Sequence, residues 1–96
     1  MAALERIEFS RRAERELRRL PRRDRIRMRS ALERLEADEE NVDVKPLAGR
    51  SPWRRMRVGE RRVLFRPIEG ERESRWLIAR IIDRRDLDRA VRSLGD

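Results

Sequence analysis

The chain has no cysteine, no histidine and no tyrosine. The first absence excludes disulfides, thiolate nucleophiles and thiolate zinc sites. The second removes the usual proton carrier near neutral pH and the commonest metal ligand. Aromatic residues are scarce, two tryptophans and two phenylalanines in all. The longest apolar runs, such as WLIA at 76–79, fall far short of a membrane span, and the N-terminus shows no apolar stretch of the kind a secretion signal carries. A cytoplasmic protein with no metal, no cofactor and no membrane partner is expected.

What remains for chemistry is carboxylate, serine, the single lysine Lys45 and 26 arginines. A guanidinium holds its proton at any ordinary pH, so it clamps anions and stabilises developing negative charge but makes a poor base. Phosphate is the anion this composition points to. At 96 residues the length prior is one domain, 1–96, able to bury only a modest core. Charged residues make up 48% and hydrophobic ones 38%. The apolar residues recur periodically, so the expectation is a thin core under a charged surface rather than a disordered chain.

The net charge of +8 is unevenly spread. Residues 10–36 carry eleven arginines against five acids, and residues 50–67 carry seven against Glu60 alone, so each block is +6. The acidic stretch ADEENVD lies between them. In the first block the charges fall where any amphipathic helix puts them, and solvated Arg–Glu pairs account for them. In the second, most arginines have no local acid to pair with.

Periodicity gives the element order. LERIEF at 4–9 alternates, with Ile7 and Phe9 on one face, and reads as a first strand. Ser10 is a plausible N-cap for RRAERELRRL, in which Ala13, Leu17 and Leu20 recur at helical spacing before Pro21. Ile26, Met28, Ala31, Leu32 and Leu35 line one face of a second helix over Asp24–Glu36, making an αα-hairpin. A loop with a short extended piece follows. Met56 and Val58 then alternate with Arg55 and Arg57; past a Gly59–Glu60 turn, Val63 and Phe65 alternate with Arg62, Leu64 and Arg66. EGERES at 69–74 is a polar turn, WLIARIID a strand covered on both faces, and Leu87, Val91 and Leu94 mark a short last helix capped by Asp83 or Asp86. The fold class is α+β: helices on one face of a mostly antiparallel sheet whose other face stays partly open.

That open face would carry Arg55, Arg57 and Arg62, with Arg84 and Arg85 arriving after the last strand. Such a surface suits a phosphodiester backbone, held by charge-assisted hydrogen bonds and counterion release; an acidic protein segment would suit it too. Trp53 and Trp76 could stack on bases, but with so few aromatics they are expected to fill the core or its rim. Glu14 and Arg18 make an i, i+4 surface pair.

Taken in order, FSRRAERELRRLP, LERLEAD, VKPLAG, RMRVGERRVLF and IIDRRDLDRAV resemble successive landmarks of the RelE/ParE toxin superfamily of bacterial type II toxin-antitoxin systems. The resemblance implies a small α+β fold and an antitoxin that wraps and neutralises the protein. It also implies one of two attacks: cutting messenger RNA in the ribosomal A site, as RelE-like members do, or poisoning DNA gyrase, as ParE-like members do. By resemblance Arg55, Arg57 and Arg62 fall on the family's basic strand positions and Arg84 on the arginine after the last strand; Arg62 is the first choice for catalysis. Lys45, Arg54, Arg66 and Arg85 are the further residues expected to touch RNA. The chain departs from the pattern where relatives have histidine, here Asp83, and where RNA-cutting relatives have tyrosine, here Asp88. Asp88 is therefore the candidate general base, although neighbouring arginines would weaken it; a first-turn acid complementing the helix dipole is its plainer reading. The leading expectation is a ribosome-dependent RNA endonuclease whose partners are the ribosome, messenger RNA and an antitoxin. The alternatives are a non-catalytic gyrase inhibitor and an inactive relative.

Overall fold

Alternating apolar and charged residues build five strands of one sheet, and two longer amphipathic segments form the helices that cover it. The computed structural model describes residues 4–70 and 74–94. The elements are β1 (Ile7–Phe9), α1 (Arg11–Arg19), α2 (Arg22–Glu36), β2 (Val44–Pro46), β3 (Arg54–Val58), β4 (Arg61–Pro67) and β5 (Trp76–Asp83). A 3₁₀ turn (Arg84–Asp86) then leads into α3 (Leu87–Arg92). The sheet order is β1-β5-β4-β3-β2; β1 runs parallel to β5 and the other neighbours are antiparallel. The α+β expectation holds. Residues 71–73 of the expected EGERES turn lie outside the described residues. No helix among the described residues is long and apolar enough to cross a membrane.

The main core lies between the sheet and the αα-hairpin. Met56, Val63, Phe65 and Ile78 from the strands meet Ala13, Met28, Ala31, Leu32 and Leu35 from the helices. Ser10 caps α1 as expected, its Oγ accepting from Ala13 N at 3.0 Å. The second helix departs from expectation in two ways. Helix α2 begins at Arg22, two residues earlier than its apolar pattern suggests, and Ile26 is 60% exposed instead of facing the core. At 3.6 residues per turn Ile26 falls on the side of the helix opposite Met28, Ala31, Leu32 and Leu35, and the larger set takes the core.

The outer face is less open than alternation suggests. Leu64, expected beside the outward arginines, is fully buried with Ile82 and Ala90, and Leu47, Leu87, Val91 and Leu94 pack around them. Helix α3 therefore lies on the face opposite the hairpin, leaving the stretch near the Gly59–Glu60 turn uncovered. A register shift between Leu64 and Phe65 helps here. It lets Ile78 and Ile81, three residues apart, both reach the main core while Ile82 joins the outer one.

Helix α1 takes over where β1 stops. Strand β1 pairs with β5 only as far as Ile78. Beyond it Ser10 Oγ donates to the Ala79 carbonyl at 2.9 Å, and the Glu16 carboxylate accepts from Ile81 N at 2.9 Å. Glu16 also holds Arg80, Nη2 to Oε2 at 3.0 Å, with the two side chains only 19% and 13% exposed. Side chains thus satisfy a strand edge that would otherwise be unpaired.

Candidate nucleic-acid interface

A two-residue loop closes the β3–β4 hairpin. Gly59 has φ +57° and Glu60 a negative φ, the pattern of a turn with glycine in its first central position. A Cβ at residue 59 would also lie 2.8 Å from an Arg27 guanidinium nitrogen. The tight turn fixes the register, and register fixes the faces. Arg57 sits opposite Arg62, and Arg55 opposite Leu64. All four therefore share the outer face. Lys45 on β2 lies opposite Arg55 and extends the basic row.

Arg84 joins from beyond β5. Its backbone N donates to the Glu60 carbonyl at 2.9 Å, and its Nε meets the Glu60 carboxylate at 2.9 Å. The 3₁₀ turn is thereby stitched to the hairpin turn. Arg62 is half-buried and folds back, Nη1 donating to the carbonyls of Gly59 at 3.0 Å and Arg61 at 2.9 Å. Its pKa is lowered, first by burial, then by the charges of Arg57 and Arg55, with Glu60 opposing and Arg84 adding to the shift. Arg62 remains protonated at any pH the fold survives. Burial leads the shift, and the neighbouring arginines add to it.

Two of these arginines have carboxylate neighbours. Arg55 lies 3.5 Å from Asp43, and Arg84 is tied to Glu60. Arg57 is exposed and makes no ion pair among the described residues. The structure thus gathers Arg55, Arg57, Arg62 and Arg84 around Glu60, with Lys45 at the margin.

The remaining expected site residues lie elsewhere. Arg54 points to the helix side, its guanidinium 5.4 Å from the centre of the Trp76 ring. Arg66 shares the outer face but sits at the far end of β4, over Trp53 at 5.6 Å. Arg85 is tied to Asp83, Nε to Oδ1 at 3.0 Å. Asp88 is exposed in the first turn of α3 and is not among the charges acting on Arg62. Asp83 lies opposite Arg61, on the helix side. Its carboxyl is held below the usual carboxylate range, chiefly by the Arg85 backbone N–H and then by the Arg85 guanidinium. Neither aspartate joins the cluster as a base.

Sequence reading missed Glu60 as a member of the site. It is the one acid of the basic hairpin block, a signal that was visible. A second basic groove of about 530 Å³ between α1, β5 and α3 is lined by Arg12, Arg19, Arg61, Arg80 and Arg89, but three of these are paired, with Asp24, Glu16 and Asp86. Among the described residues no group of three or more acidic, histidine or cysteine side chains could hold a metal ion.

The architecture has solved counterparts. The structure of the RelB–RelE antitoxin-toxin complex from Methanococcus jannaschii matches with a TM-score of 0.68 and 19% identity, over 85% of this chain and 95% of that one. The archaeal RelE–RelB complex from Pyrococcus horikoshii matches with a TM-score of 0.66 and 23% identity, over 82% and 93%. At such identities the likeness is one of fold. A search of curated proteins gave no match. The family model describing the ParE toxin of the type II toxin-antitoxin system parDE matches residues 7–88, from β1 into α3. With most of its length matched in this way, the chain belongs to the ParE toxin family of type II toxin-antitoxin systems, within the RelE/ParE superfamily.

Proposed function

We propose that this toxin, when free, cuts messenger RNA on the ribosome, and that a cognate antitoxin holds it silent. The observation that carries the reading is the cluster of Arg55, Arg57, Arg62 and Arg84 on the uncovered end of the sheet, four cations against the carboxylates of Glu60 and Asp43. Like charges gathered at a cost to the fold favour a bound anion that relieves them. In RNA the 2′-hydroxyl attacks the adjacent phosphorus, a cyclic phosphate forms, and the 5′-oxygen leaves. Negative charge gathers on the phosphate oxygens as this happens. Arg62, braced by its own turn, and the exposed Arg57 and Arg84 are suited to orient the phosphate and stabilise that charge. The proton of the 2′-hydroxyl passes to water or to a ribosomal group, and water or such a group protonates the departing 5′-oxygen, because the Glu60 carboxylate is engaged by Arg84.

The antitoxin is expected to lay carboxylates over the same arginines. The RelE proteins of M. jannaschii and P. horikoshii were solved with RelB bound, which supports a protein partner here. A second reading has its own support: the one carboxylate acting on Arg62, that of Glu60, is tied to Arg84, and this together with the match to the ParE family model suits a non-catalytic gyrase inhibitor.

Primer extension on a reporter messenger in a translating extract tests the first reading. Discrete, ribosome-dependent cuts are expected. Intact messenger, together with loss of supercoiling by purified gyrase, would overturn it in favour of the second.

A further inference from the structure

The two tryptophans have different surroundings. Trp76 packs against the main core and meets Phe65 edge-on, ring centres 5.4 Å apart. Trp53 belongs to neither hydrophobic cluster. It is half-buried just ahead of β3. It lines an open groove of about 860 Å³ with Arg50, Pro52, Arg66 and Glu69, and a second of about 550 Å³ with Pro46, Leu47 and Arg54. An indole that the core does not use, set among three arginines, is costly to leave half in water unless something covers it.

We infer that Trp53 is a stacking platform for one unpaired base of a single-stranded RNA, with Arg66 and Arg50 beside it for the flanking phosphate. The inference deepens the proposed RNA-cutting function and rests on the outer face contacting RNA. An aromatic ring next to arginine is the usual construction of a sequence-tolerant base site, because every base has a π-face and the guanidinium adds both charge and cation–π contact. The Arg66 guanidinium lies over the ring, 5.6 Å from the indole centre and within cation–π range, so a base stacked on the indole would lie beside a positive charge.

Position relative to the arginine cluster supports the same assignment. Arg66 and Arg62 share the outer face of β4, four residues and so about 13 Å apart along the strand. The base on Trp53 therefore belongs to a nucleotide a short way along the strand from the one whose phosphate meets Arg62. Trp53 positions substrate and takes no part in bond breaking.

The test is the affinity of the full-length protein for a short labelled single-stranded RNA and for an abasic chain with the same number of phosphates, read by fluorescence anisotropy. Trp53→Ala is expected to weaken RNA binding about tenfold while leaving abasic binding unchanged, and Trp53→Phe to keep most of the RNA affinity. Arg62→Ala is expected to weaken both ligands alike. If Trp53→Ala binds RNA as the wild type does while Arg62→Ala does not, the stacking site falls and the RNA-contacting face stands. If the wild-type protein binds neither ligand, both fall.

Discussion

Arg62 meets opposing demands: burial and three neighbouring arginines disfavour its charge, while two carbonyls hold its guanidinium in place. In the proposed reading, a residue kept charged against such pressure is there for an anion. Arg62→Gln should therefore lower single-turnover RNA cutting about 100- to 1000-fold, the usual effect of losing one well-placed donor, without lowering the melting temperature read by circular dichroism. A drop in stability matching the drop in rate would make Arg62 a structural residue. Asp83 shows the reverse. Its pKa is lowered in the fold by Arg85, so its stabilising effect is fully present above the ordinary aspartate value of about 3.9 and is lost as pH falls through the lowered one. The melting-temperature advantage of the wild type over Asp83→Asn should be present at pH 7 and shrink steadily on acidification below about pH 4. A constant difference across that range would contradict the assignment. Much of this residue scale was legible in the chain, because strand alternation places Arg55, Arg57 and Arg62 on one face without reference to tertiary structure. Glu60 stood out as the one acid of its block, but its role did not, since its partner Arg84 arrives from the far end of β5 and a turn acid alone reads as solvated.

The elements divide in the same way. The bounds of β5, Trp76–Asp83, follow from a run of apolar residues that only a doubly covered strand explains. The hairpin follows from its Gly-Glu turn. The position of α3 does not, because Leu64 occupies an outward register beside Arg62 and Arg66 and only the docked helix buries it. Strand β1 is shorter than its pattern: LERIEF alternates from residue 4, but pairing starts at Ile7, and beyond Ile78 the side chains of Ser10 and Glu16 replace it. Glu16 is the centre of that replacement. Glu16→Ala leaves Ile81 N and the largely buried Arg80 without their acceptor and should cost about 3 kcal/mol. The urea midpoint should fall while the slope stays constant. An unchanged midpoint would mean that water replaces the carboxylate at no cost.

At the scale of the whole molecule, the two +6 blocks behave differently. The helical block is laced into pairs such as Arg18–Glu14 and Arg29–Glu33, which exposed and solvated contribute only a few tenths of a kcal/mol each. The hairpin block turns Arg55, Arg57 and Arg62 outward near only two acids, Asp43 and Glu60. Composition alone gives both blocks the same charge; only the fold separates a solvated surface from a site. The central claim is that this sheet face, and not the total charge, holds a phosphate backbone. The measurement that tests it most directly is the salt dependence of single-stranded RNA affinity for the wild type, for Arg57→Ala/Arg62→Ala, and for Arg11→Ala/Arg15→Ala on exposed positions of α1. Each lost contact to a single-strand phosphate reduces the log–log slope by about 0.7. The account predicts that the sheet-face variant loses about 1.4 in slope while the helix variant keeps the wild-type value. Equal losses in the two variants would show that RNA responds to net charge alone and would contradict the assignment of the site.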